Sequence, residues 1–175
     1  MFDNIREDWA MHDRCWTRAG FWTLAVYRFG QWRDHIQWRP LRLPFSFAYR
    51  NLFMLVRVIT GITLPGRTKI GRRLRFDHSG GIIIHEHSVI GDDCLIRHGV
   101  TIGVRRTGET LAPRLGNRVD IGCGAVLLGP ITIGDDVVIG ANAVVLCDVP
   151  ACSTAVGVPA RVLPRKALLS SKQQQ

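Results

Sequence analysis

The stretch that decides the fold is LGNRVDIGCGAVLLGPITIGDDVVIGANAVVL, residues 115–146. Aliphatic residues lead every sixth position at Leu115, Ile121, Leu127, Ile133, Ile139 and Val145. Four residues after each stand Val119, Ala125, Ile131, Val137, Ala143 and Val149, all small or branched. A period of six suits neither an amphipathic helix nor a strand that alternates indefinitely. It suits a short strand followed by a turn, repeated, with glycine relieving the turn at Gly116, Gly122, Gly134 and Gly140. Three such steps make a coil of about eighteen residues, and stacked coils share their ladder hydrogen bonds at about 4.8 Å.

The same beat extends upstream through Ile102, Ile96, Ile90 and Ile84, and before them Ile82, Phe76 and Ile70. It slips twice. Two residues are added around Gly80 and Gly81, and the gap from Ile102 to Leu115 is thirteen rather than twelve. The second slip holds VRRTGETLAPR and no inward aliphatics, so it reads as a loop, 104–114, pushed out of one corner. Irregular loops on a rigid scaffold are where sites are built.

Outside the repeat the chain has another character. Residues 1–60 hold all five tryptophans and read as a helical segment; 61–164 form the solenoid and 165–175 a tail. Trp22, Ala25, Val26, Phe29 and Trp32 recur at helical spacing. Pro40 and Pro44 in RPLRLP then break the pattern, and a second helix is expected from Phe45 to about Ile59. Packing against other helices and the solenoid is the first reading of these apolar faces. The second is peripheral contact with a membrane, through the tryptophans with Arg39, Arg42 and Arg50.

Composition sets outer bounds. With 175 residues, 46% hydrophobic and 21% charged, the chain is globular, and its net charge of +9 favours anionic partners. Five cysteines without CxxC spacing exclude a disulfide framework and point to a reducing cytoplasm. No apolar run is long enough to span a bilayer, and the basic residues follow no nucleic-acid recognition motif.

The hexapeptide pattern, GVPARV at 157–162 and the pair Asp77-His78 resemble the serine acetyltransferase branch of the left-handed β-helix acyltransferases. IRHGVTIG at 96–103 is similar to the exopolysaccharide O-acetyltransferases of the colanic-acid type. The resemblance implies a mainly β, left-handed parallel β-helix with a short helical segment before it. It also implies a homotrimer with active sites between neighbouring solenoids, transferring acetyl from acetyl-CoA to a hydroxyl.

An alcohol attacks a thioester poorly unless a base takes its proton as the C–O bond forms, and histidine suits that task. His78 matches the family's catalytic histidine. His98 is one coil further on, once the two-residue slip is removed, and should stack beside it about 5 Å away. Asp77, Glu86 or a backbone carbonyl are candidates to orient His78, because the family's orienting aspartate falls on Thr63. The family's carboxylate-recognising Arg-His falls on Leu111 and Ala112, before Pro113, and leucine makes no bidentate clamp.

For coenzyme A, the related maltose-type acetyltransferases imply contacts at Cys123, Ala141 and Leu146, and the ribose phosphate needs a cation, for which Arg161 or Arg165 near the carboxyl end are the candidates. His85 and His87 admit a zinc reading, since γ-class carbonic anhydrases share this solenoid, but the acyltransferase strings favour no metal. The leading expectation is therefore O-acetylation of a saccharide hydroxyl in an exopolysaccharide or its precursor, in the cytoplasm or at the inner membrane face. The alternatives are serine O-acetylation in cysteine biosynthesis and a metal-binding or scaffolding solenoid.

Overall fold

The structure, a computed structural model, describes residues 2–164. Three helices come first: α1 (Phe2–Met11), α2 (Ala19–Asp34) and α3 (Arg39–Thr60). Fifteen short strands follow and stack into three parallel faces. One face runs β1 (Ile62–Thr63), β4 (Ile82–Ile84), β7 (Thr101–Gly103), β10 (Val126–Leu128) and β13 (Val144–Val145). The second runs β2 (Lys69–Ile70), β5 (Val89–Ile90), β8 (Arg114–Leu115) and β11 (Thr132–Ile133). The third runs β3 (Arg75–Asp77), β6 (Leu95–Arg97), β9 (Asp120–Ile121), β12 (Val138–Ile139) and β14 (Ser153–Val156), closed by β15 (Arg161–Pro164). Among the described residues only the last pair, β14 with β15, is antiparallel.

This is the β-helix that the six-residue beat demands. The lead and fourth-following residues of each repeat point inward, and Ile96, Ile121, Leu127, Ile133, Val119, Ala125 and Val137 are all fully buried in one continuous core. A regular coil pairs residues eighteen apart, as Val126 with Val144 and Asp120 with Val138. Two residues added between Asp77 and Gly80 lengthen one coil so that Arg75 pairs with Leu95. The second slip is larger than its spacing suggested. Thr101 pairs with Val126, twenty-five residues on, so the thirteen-residue gap holds one strand step and a seven-residue insertion, not two steps and one extra residue.

One corner carries non-glycine residues in the left-handed region, at Arg73, Asp93, Arg118 and Asp136. Such a backbone costs energy in a side-chain-bearing residue, and a ladder of alternating charge offsets it. Arg73 is bidentate to Asp93 at 2.5 and 2.7 Å, and Arg118 to Asp136 at 2.7 Å for both bonds. The Arg73 guanidinium holds the Asp93 carboxyl below its ordinary range. Beside this ladder, Asp92, Asn117 and Asp135 each accept a backbone N–H from the coil before, at 2.8–2.9 Å.

The helix boundaries differ from the reading of RPLRLP. α3 begins at Arg39, not Phe45. Pro40 lies in the first turn, where its missing N–H is unneeded, and Pro44 lies inside the helix. An interior proline is tolerated here near the start of a 22-residue helix that ends at a left-handed Gly61.

The helices dock on β3 through a buried histidine. His12 Nδ1 lies 2.7 Å from the Asp8 carbonyl, which can only accept, so Nδ1 carries the proton. Nε2 is thereby an acceptor, and takes the Phe76 N–H at 3.2 Å. Protonating Nε2 would set donor against donor, and burial holds the His12 pKa below its ordinary value. A depressed imidazole means that the folded state binds fewer protons than the unfolded one below about pH 6.5. Stability is therefore expected to fall on acidification through that range, by at most ~1.4 kcal/mol per pH unit from this group. Urea titrations at pH 7.5 and 5.5 check this; His12→Gln, which accepts without titrating, should remove His12's share of the slope.

Candidate active site

The corner that follows β3, β6, β9 and β12 gathers most of the sequence candidates. His78, His98, Cys123 and Ala141 each stand two residues past the paired set Phe76, Ile96, Ile121 and Ile139. His98, Cys123 and Ala141 form a column down the edge of the solenoid, and His78 stands beside its top on the two-residue insertion. Backbone hydrogen bonds tie its lower steps, with Gly124 N–H donating to His98 O at 2.9 Å and Asn142 N–H to Cys123 O at 2.8 Å. The rings of His78 and His98 are 6.0 Å apart between centroids, edge to face. Both are exposed, so a substrate can reach either.

His78 has φ +65° and lies with Ser79 in the two-residue insertion just before Gly80. That turn lifts its ring clear of the coil and toward the helices. A cleft of about 300 Å³ lies there, lined by Thr17, Arg18, Ala19 and Gly20 from the helical segment and by Phe76, His78 and Ser79 from the solenoid. The close approach depends on Gly20. A Cβ at that position would stand 2.7 Å from Phe76 Cβ and 2.8 Å from His12 Nε2. Arg18 pairs with Asp13 at 3.0 Å in an exposed ion pair that a ligand can displace.

Asp77 is the nearest carboxylate to the base, with Oδ2 3.9 Å from His78 Nε2, outside hydrogen-bond distance. Its other oxygen lies 3.6 Å from Arg75. Glu86 is directed elsewhere, toward Arg67 at 3.6 Å and His87 at 3.9 Å. His85 and His87 sit with ring centroids 5.4 Å apart, and His85 Nδ1 already accepts the His87 N–H at 3.3 Å. Among the described residues no three of His, Cys, Asp and Glu gather in a metal-holding arrangement.

The other coenzyme candidates lie apart from the histidine column. Leu146 follows β13 at a different corner, where the extruded loop folds back along the coils. Arg105 of that loop crosses Gly129 and donates to the carbonyls of Leu128 at 3.4 Å and of Leu146. Arg161 is exposed in the terminal hairpin, opposite Val156. Arg165 lies outside the described residues. In the loop, Leu111 is exposed while Ala112 and Pro113 are buried, so neither family-matched position supplies a cation.

Sequence reading missed Thr17, Arg18, Gly20 and Ser79. Arg18 and Gly20 meet His78 only because α2 docks on β3, a contact across almost sixty residues. The one local signal was the TRAG string at 17–20, where the tryptophan-rich segment turns helical.

The family model for bacterial transferase hexapeptide (six repeats) matches residues 112–147. A serine acetyltransferase of Helicobacter pylori is 52% identical over 124 residues, covering 69% of this chain and 71% of that one. One from Synechococcus elongatus is 40% identical over 149 residues, covering 83% and 57%. Among solved structures, soybean serine acetyltransferase complexed with serine superposes with a TM-score of 0.71 at 36% identity, and this chain spans 58% of its length. The Brucella abortus serine acetyltransferase gives 0.78 at 29% identity, covering 93% of this chain and 68% of that one.

These relatives overturn the expected saccharide acceptor and its place in exopolysaccharide synthesis. The string that suggested it, IRHGVTIG, is mostly scaffold: Ile96, Val100 and Ile102 are fully buried and Gly99 forms a left-handed corner. Such residues report the coil, not the acceptor. The chain is an acyltransferase, and it belongs to the serine acetyltransferase family of hexapeptide-repeat proteins.

Proposed function

We propose that the protein transfers the acetyl group of acetyl-CoA to the hydroxyl of L-serine, as a cytoplasmic homotrimer. The observation that carries this reading is the 52% identity over 124 residues with a serine acetyltransferase. His78, with His98 beside it, is the base: it takes the hydroxyl proton as oxygen attacks the thioester carbonyl, and the coenzyme leaves as a thiol. Cys123 and Ala141, below His98 in the same column, line the path of the pantetheine arm. Leu146 and Arg161 serve the nucleotide end.

Serine needs partners for two charges. Its ammonium pairs with Asp77, whose carboxylate is partly exposed beside His78. Its carboxylate pairs with Arg18, the cation that lines the same cleft, in place of the clamp that Leu111 and Ala112 cannot make. The cleft also offers the Thr17 and Ser79 hydroxyls. Thr63 stands where the family pattern has its orienting aspartate, so Asp77 is also the group that steadies the imidazole, once substrate draws the 3.9 Å gap closed.

Thiol release from acetyl-CoA with L-serine as acceptor tests the assignment. Arg18→Gln should raise the KM for serine about 10–100-fold, as loss of a charge-assisted hydrogen bond of ~1.5–3 kcal/mol implies, with kcat changed far less. No turnover of L-serine by the unmodified protein would refute the acceptor. An unchanged KM in Arg18→Gln would refute the carboxylate partner alone.

A further inference from the structure

α3 presents an outer face that nothing among the described residues covers. Leu43, Phe47, Met54, Leu55, Val58 and Ile59 are each more than half exposed along it, and Thr60 is its only buried residue. At 100° per residue these side chains, with Leu41, sweep an arc of about 160° that is broken by Asn51, whose Nδ2 donates to the Phe47 carbonyl of the same helix at 2.8 Å. Arg39, Arg50 and Arg57 stand along one border of that arc, because spacings of eleven and eighteen residues return to the same side of a helix. All three are exposed, and among the described residues none makes an ion pair. No Asp or Glu occurs between Asp34 and Asp77. Trp38, two-thirds exposed, stands at the amino end of the helix.

We propose that α3 lies in the surface of an anionic phospholipid bilayer. A broad apolar arc bordered by a row of arginines is the pattern of a helix that sinks its face below the headgroups while its cations meet phosphate. The tryptophan at its end suits the interfacial region. The arc continues into an apolar groove of about 620 Å³ between α2 and α3, where Trp22, Phe29, Leu52, Leu55, Val56 and Ile59 offer room for acyl-chain segments. No helix among the described residues is long and apolar enough to cross a membrane, so the contact is peripheral. A second copy of the chain fits less well: two apposed α3 helices would carry six border arginines and no carboxylate on either helix to pair them. Thr17 and Ala19 wall both the groove and the His78 cleft, so docking holds the catalytic corner close to the lipid surface. The proposal is independent of the acceptor.

Vesicle flotation of the full chain tests it. Vesicles with about 30% phosphatidylglycerol in phosphatidylcholine should carry the protein up, pure phosphatidylcholine should carry much less, and 0.5 M salt should release most of it. Arg39→Gln, Arg50→Gln and Arg57→Gln together should weaken binding on the order of a hundredfold, at about fivefold per arginine. Phe47→Ser with Val58→Ser should also abolish flotation; both side chains are more than 70% exposed, and circular dichroism checks that the fold survives. Failure to float with anionic vesicles overturns the proposal, as does equal binding by the arginine variant. A change of oligomer size in Phe47→Ser/Val58→Ser without vesicle binding assigns the face to a second copy instead.

Discussion

His78→Ala is expected to lower kcat by about 10²–10⁴-fold while the KM for acetyl-CoA stays within a few-fold. The ring stands beside His98 at the top of the column, in a cleft between solenoid and helices that it shares with Arg18, on a turn whose φ is +65°. Its partner makes a control. His98 heads the column and lies 6.0 Å away, yet it does not line the cleft with Arg18. His98→Ala should therefore cost distinctly less. Steady-state release of coenzyme thiol at saturating substrates measures both. Equal losses in the two variants would mean that the pair acts as one unit, and a larger loss in His98→Ala would exchange their roles. Full activity in His78→Ala would remove the base from this corner altogether.

Much of this geometry was legible in advance, for a physical reason. In a β-helix a residue's neighbours lie one coil away at a nearly fixed offset, so counting sixes places His78 beside His98 without any long-range information. Counting fails where the coil is interrupted. The loop after Gly103 is legible as a break in the beat, but its length is not, because thirteen is close to twice six and only the pairing of Thr101 with Val126 reveals a seven-residue insertion. The helical segment obeys no such rule. Its contacts depend on which faces meet, so the docking of Gly20 against Phe76, and with it the placing of Arg18 near the base, left no periodic trace. The start of α3 was missed for a smaller reason: proline breaks a helix interior but is at home in a first turn. The acceptor is not legible in IRHGVTIG, because that string builds buried coil.

Arg28→Ala is expected to destabilise the fold by about 3–5 kcal/mol, since it leaves a buried carboxylate without its cation. Arg28 and Asp8 are both almost wholly buried, and Nε donates to Asp8 Oδ2 at 3.0 Å. The guanidinium also donates to the Gly71 carbonyl at 2.6 Å, so one side chain ties α1 and α2 to the solenoid. Among the described residues Asp8 Oδ1 has no hydrogen-bond partner, and burial pushes the carboxyl pKa up even though Arg28 pulls against it. Stability therefore depends more on keeping the pair intact than on any large net gain from it. Asp8→Asn with Arg28→Gln removes both charges together and should recover a substantial part of the loss, measured by urea denaturation. If the single and double variants are equally destabilised, the cost lies in packing and the Gly71 contact, not in an uncompensated charge. The site should feel the same change. α2 carries Arg18 into the cleft and is held there by this pair and by His12, so Arg28→Ala should raise the serine KM under conditions where the protein remains folded. A variant that loses stability but keeps its serine KM would show that the cleft end of α2 is held by the Gly20 contact with Phe76 alone.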